Sequence, residues 1–235
     1  MGAVAFLVMK ADLPYWARAS LIVLATAAVC LPVGAMLHRY VFHRKEVPLG
    51  YRWRKVTYTF SFDKDDRRRQ QQDMAVEIEA RRNNLSLFAN RYKWSGQGSG
   101  SDISLLSDAQ ILLDDPRMNS EGWRTYYVHL LQPILRNERA TIRIRQTFYD
   151  EGGTFDSHLS KFVREDVDVL VLRVVFPSDM PAEDKFRPVE RKGFRGKILS
   201  RLSMDYDSAT ASVTVNVKSP QKGRTYGIEW AWNYP

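Results

Sequence analysis

The sequence predicts an all-β domain, an antiparallel immunoglobulin-like β-sandwich of about nine strands, tethered to an N-terminal transmembrane α-helix. Three observations carry this reading. An uncharged, mostly apolar run, Ala19 to Leu37, lies between Arg18 and a basic collar. From Tyr51 onward the hydrophobic pattern changes to a period of two and returns in segment after segment. Turn-forming clusters separate those segments, and no helical period lies between them.

The run 19–37 has the length a helix needs to cross a hydrocarbon core of about 30 Å. Pro32 and Gly34 inside it are tolerated in membrane helices. Residues 1–18 are either an interfacial segment, with Tyr15 and Trp16 at headgroup level, or the end of a truncated first membrane helix built on Ala3–Met9. Residues 38–50 form a basic juxtamembrane linker. Its Arg39, Arg44 and Lys45, followed by further cations, outweigh Lys10 and Arg18 on the other flank. The positive-inside bias therefore places residues 51–235 in the cytoplasm, after one pass, or two if the start is truncated. The single cysteine, Cys30, lies within the run, which excludes an internal disulfide and thiol catalysis.

The strands follow in order. From Trp53 to Phe62, Val56, Tyr58, Phe60 and Phe62 alternate with Lys55, Thr57, Thr59 and Ser61. The polar block Asp63–Gln72 reads as a loop. Met74, Val76, Ile78 and Ala80 alternate again, and Asn83-Asn84 reads as the turn of a hairpin with a strand from Leu85 to Trp94. Ser95–Asp102 is a glycine-rich connection; it lacks the Gly-Lys-Ser/Thr of a phosphate loop. Ile103–Asp115 gives a short strand or a helical turn.

Trp123–Leu131 is a strand closed by Pro133, and Ala140–Phe148 another, with Ile142 and Ile144 on one face and Arg143 and Arg145 on the other. Phe155–Val163 is mixed. Val167–Phe176 is almost continuously apolar, as in a strand central to a sheet. Pro177–Pro188 reads as a polar loop. Three strands joined as hairpins complete the domain: Lys197–Asp205, Ala211–Val217 and Tyr226–Tyr234. In the last, Tyr226, Ile228, Trp230, Trp232 and Tyr234 share the face that seals the core.

Chemistry is sparse. His38 and His43 belong to the collar, and neither His129 nor the Asp156-x-His158 pair has the companions a metal site needs. No nucleophile elbow or paired acid and base stands out, so no catalytic residue, metal ligand or cofactor is assigned and an enzyme is disfavoured. The formal net charge of +8 implies an anionic neighbour. Arg187, Arg191, Lys192, Arg195, Lys197 and Arg201 form the densest basic cluster and are the candidate anionic-ligand site. Tyr15, Trp16, Arg39, Arg44 and Lys45 are the candidate membrane-interface residues. No nucleic-acid signature accompanies the charge.

The leading expectation is a membrane-anchored, non-catalytic β-sandwich that binds a protein partner or anionic ligand, with oligomers forming through the membrane helix. The alternative is a membrane effector or sensor of a bacterial defence or signalling system. In architecture alone, an anchor followed by a β-rich domain resembles the membrane-embedded β-rich effectors of anti-phage signalling. That resemblance implies a β-domain that senses a nucleotide and helices that act on the membrane.

Overall fold

The computed structural model describes residues 14, 20, 50–66, 68–96, 101–107, 109–118, 122–153, 155–177, 181–194 and 196–231. Among the described residues no helix is long and apolar enough to cross a membrane. Apart from Ser20, the expected span 19–37 lies outside them, as do Tyr15, Trp16, Arg39, Arg44 and Lys45. The fold below belongs to the unit Leu49–Pro235.

The described residues form fourteen strands, not about nine. The first seven are β1 (Tyr51–Phe62), β2 (Arg69–Ala80), β3 (Leu85–Tyr92), β4 (Ser101–Leu105), β5 (Gln110–Met118), β6 (Arg124–Ile134) and β7 (Arg139–Tyr149). The others are β8 (His158–Phe162), β9 (Val167–Val175), β10 (Phe186–Lys192), β11 (Ile198–Arg201), β12 (Asp205–Asp207), β13 (Ser212–Lys218) and β14 (Arg224–Trp230). They make three sheets: seven strands in the order β12-β13-β9-β1-β2-β7-β4, four in the order β11-β10-β14-β8, and three in the order β3-β6-β5. The all-β expectation holds; the immunoglobulin-like pairing does not, because β1 and β9 run parallel at the middle of the large sheet.

Period-two burial explains the large sheet. Val56, Tyr58, Phe60 and Phe62 of β1 turn inward with Met74, Val76 and Ile78 of β2, Ile142 and Ile144 of β7, Leu170 and Leu172 of β9, and Val215 of β13. A register shift between Trp53 and Lys55 swaps faces, so odd-numbered Tyr51 and Trp53 also point inward. The three-stranded sheet covers part of this face, with Phe88 ring centroids 5.6 Å from Tyr51 and 5.7 Å from Trp53. The four-stranded sheet covers another part, with Trp230 at 6.4 Å from Phe60 and 6.1 Å from Phe62.

Several expectations are corrected. Gln70 and Gln72 belong to β2, paired with β1 and β7, and face neighbouring side chains. Trp94 Nε1 donates to Gln70 Oε1 at 3.3 Å, and Gln72 Nε2 to Gln146 Oε1 at 2.8 Å, while Gln70 Nε2 is buried without a partner among the described residues. β2 and β3 are not a hairpin; β1 and β7 occupy both edges of β2, so the turn at Asn84 carries the chain to another sheet. Pro133 does not end β6, since it falls in a bulge where it breaks no ladder bond. Phe186 buries itself against the core opposite Trp230 and the chain pairs with β14, which turns the end of the expected 177–188 loop into β10. Lys197–Asp205 splits into β11 and β12 in different sheets, and β13 and β14 likewise part, leaving β10–β11 and β12–β13 as the late hairpins.

Candidate functional site

A cleft opens along the seam between the two smaller sheets. Tyr58, Phe60 and Gln72 of the large sheet line its floor, the chain from Asn90 to Ser95 lines one wall, and edge strand β8 lines the other. Its free volume is about 140 Å³. A shallower groove of about 320 Å³ continues over the outer face of the four-stranded sheet, where Gly227 stands opposite Ser160. A Cβ at Gly227 would come within 3.0 Å of the Ser160 Cβ, so the bare glycine keeps β8 and β14 closely packed.

Three cations of the cleft lie on aromatic faces. Lys161 reaches inward from β8, its Nζ 4.6 Å from the Trp53 ring centroid and 5.7 Å from that of Tyr58. The side chain is only 14% exposed, and Glu165 Oε2 lies 3.8 Å from the amine. Burial pushes the Lys161 amine below its ordinary value, and the Glu165 carboxylate offsets part of that. Arg91 places its guanidinium carbon 4.9 Å from the Trp123 centroid, and its Nη2 is buried without a hydrogen-bond partner among the described residues. Arg164 lies 5.3 Å from Phe162. Phe194 closes the mouth, 5.5 Å from Trp123 and 6.3 Å from Phe162.

The polar floor is pre-ordered. Asn90 Nδ2 donates to the Tyr126 hydroxyl at 2.7 Å. Burial, with the Glu165 charge adding to it, holds the Tyr58 phenol well above its ordinary range, so it is a donor at every physiological pH. The arrangement is suited to a flat anionic group: ring faces to stack on, cations beside them, and amides beneath. Among the described residues no group of three or more His, Cys, Asp or Glu is placed to hold a metal.

The basic cluster read from the sequence lies elsewhere. Arg187, Arg191 and Lys192 belong to β10, Lys197 to the following turn and Arg201 to the end of β11, while Arg195 is outside the described residues. Arg191 lines the shallow groove but is ion-paired with Glu229. Arg187, Lys192, Lys197 and Arg201 are exposed. Asp156 and His158 line both concavities, joined by a 2.6 Å backbone hydrogen bond. Sequence reading passed over Lys161, Glu165, Arg91 and Asn90. The one available signal was a lysine and glutamate in i,i+4 spacing within a short mixed segment.

No family model and no curated protein matches the chain. Among solved structures it is similar to a protein provisionally assigned as a protease from Parabacteroides distasonis, at 9% identity and a TM-score of 0.46, over 77% of this chain and 40% of that one. It is also similar to an M1 zinc metallopeptidase from Deinococcus radiodurans, at 11% identity and a TM-score of 0.41, over 77% of this chain and 42% of that one. A third is baculovirus P35, at 8% identity and a TM-score of 0.39, over 79% of this chain and 99% of that one. The chain thus spans well under half the length of the two peptidase structures. Likenesses this distant assign no activity.

Proposed function

We propose that the chain is a membrane-tethered, non-catalytic β-domain whose cleft binds an anionic ligand with a planar or apolar body. The carrying observation is that the buried, unpartnered Nη2 of Arg91 and the buried amine of Lys161 belong to the same cleft, each held over a ring face. A buried guanidinium nitrogen without a partner costs about 1–3 kcal/mol, a cost an incoming carboxylate or phosphate relieves. The tether is the apolar run 19–37, and the collar with Arg39, Arg44 and Lys45 holds the domain on the cytoplasmic side.

A thermal-shift panel on the full chain tests the cleft, with aromatic carboxylates, nucleoside monophosphates and cyclic nucleotides as probes. A binder at a hundred times its dissociation constant stabilises the fold by about 2.7 kcal/mol. That shift is expected to vanish in Arg91→Gln and Lys161→Gln and to survive in Arg187→Gln. A panel with no active member, or equal shifts in all variants, rejects the cleft. Activity of cyclic nucleotides alone favours the sensor alternative. Protease protection in sealed vesicles tests the tether separately; digestion of the domain from the outer face rejects the orientation.

A further inference from the structure

The exposed large apolar side chains are concentrated in one place. Of nine among the described residues, six belong to the three-stranded sheet or the connections at its ends: Leu87, Leu106, Ile111, Leu113, Leu131 and Leu135. Each is between 41% and 51% exposed. Register puts Leu87 and Ile111 on either side of His129, and Leu113 beside Tyr127 in the next row. Phe88, Tyr126 and Val128 on the same strands are buried, so the aliphatic set forms the outward face.

The described fold begins at one end of this face. Gly50 O accepts from Arg81 N at 2.8 Å, Asn137 N donates to Ala80 O at 2.8 Å, and Arg136 N donates to Asn83 Oδ1 at 3.0 Å. The turns at 81–84 and 135–138 thus flank Gly50, and the Leu85–Ile134 pair starts the sheet beside them. Arg82 and Arg136 in those turns are exposed and have no ion pair among the described residues. Lys45, the last cation of the collar, stands five residues before Gly50. Five residues span at most about 18 Å.

We propose that this outer face lies on the surface of an anionic bilayer, its leucines and Ile111 set among the lipids and Arg82 and Arg136 on phosphates. The location rests on the tether proposed above; the chemistry of the face does not. Aliphatic side chains bordered by arginine suit a lipid interface. Protein–protein hot spots are instead enriched in Trp, Tyr and Arg and poor in leucine.

The test uses the full chain with Cys30→Ser, carrying a polarity-sensitive fluorophore at Leu131→Cys or, as reference, at Ala209→Cys in the β12–β13 turn. In nanodiscs containing phosphatidylserine, the label at 131 is expected to shift to the blue and be quenched by spin-labelled lipid, while that at 209 is not. Arg82→Gln and Arg136→Gln should each lower the ratio of docked to undocked protein about fivefold, the equivalent of about 1 kcal/mol per basic residue. Equal, solvent-like labels in protein that co-elutes with the nanodisc overturn the docking and leave the tether intact. Protein that enters no nanodisc overturns the tether; added phosphatidylserine vesicles then read the face directly, quenching at 131 supporting it and its lack overturning it. A label at 131 protected without lipid, increasingly so as protein concentration rises, overturns docking in favour of a second copy.

Discussion

Replacing Trp230 by alanine probes the joint between the four-stranded and seven-stranded sheets. The indole is 5% exposed and lies 5.7 Å from the Phe176 centroid, 6.1 Å from Phe62, and 6.4 Å from both Phe60 and Phe155. Truncating a buried aromatic to alanine costs about 3–5 kcal/mol through lost transfer energy and the cavity left behind. One term opposes this: the Trp230 Nε1–H is buried without an acceptor among the described residues, and removing it recovers part of about 1–3 kcal/mol. The net expectation is therefore the low end, about 3 kcal/mol, or a fall of roughly 6–12 °C in melting temperature for a domain of this size. Trp230→Phe keeps one aromatic ring in place and discards the orphan donor, so it should cost about half as much as the alanine variant, roughly 1.5 kcal/mol. Urea and thermal melts followed by circular dichroism measure both. A loss below about 1 kcal/mol in the alanine variant, or equal losses in the two, would refute the account of the joint.

Further outcomes follow from other sites. Gly50 sits at φ +77°, where a side chain is strained and a Cβ would meet Arg82 Nε at 2.4 Å, so Gly50→Ala should cost about 1–2 kcal/mol by denaturant melts. Burial pushes the Glu190 carboxyl up, but the Ser200 hydroxyl, Arg224 and Tyr226 together outweigh it and hold it below the ordinary glutamate value. Its contribution is present above the unfolded value of about 4.3 and lost as pH falls through the folded one, so Glu190→Gln should flatten the acid limb of the stability profile. For Lys161, burial lowers the folded value, so stability is gained as pH rises towards the unfolded lysine value and lost as it falls through the folded one. Lys161→Met should remove that slope and raise the melting temperature at pH 7 by about 2–4 °C while abolishing anion binding. A less stable Met variant would mark Lys161 as structural.

Most strands were legible because one buried face imposes a period of two, which is why 53–62, 140–148, 167–176 and 211–217 correspond closely to β1, β7, β9 and β13. Pairing was not legible, because alternation says which face is buried and nothing about which edge is occupied. Asn83-Asn84 has hairpin chemistry, yet β2 already has both neighbours. Gln70 and Gln72 looked like solvent-facing residues because their partners, Trp94 and Gln146, lie far along the chain. The cleft was hidden for the same reason: Arg91, Tyr58 and Lys161 share no local spacing and meet only through the folded sheets. The basic 187–201 cluster was visible by density alone, a quantity blind to the pairing of Arg191 with Glu229.

The parallel pair of β1 and β9 determines how the molecule can assemble. Strands β1, β2, β4 and β7 all end by Tyr149, β9, β12 and β13 all begin at or after Val167, and Trp53 must find Val167 to join the two sets. While the nascent chain lengthens, β1 offers a bare edge rich in aromatics until its partner emerges. The vulnerable interval is thus one of synthesis, and slowing translation between Tyr149 and Val167 should lengthen it.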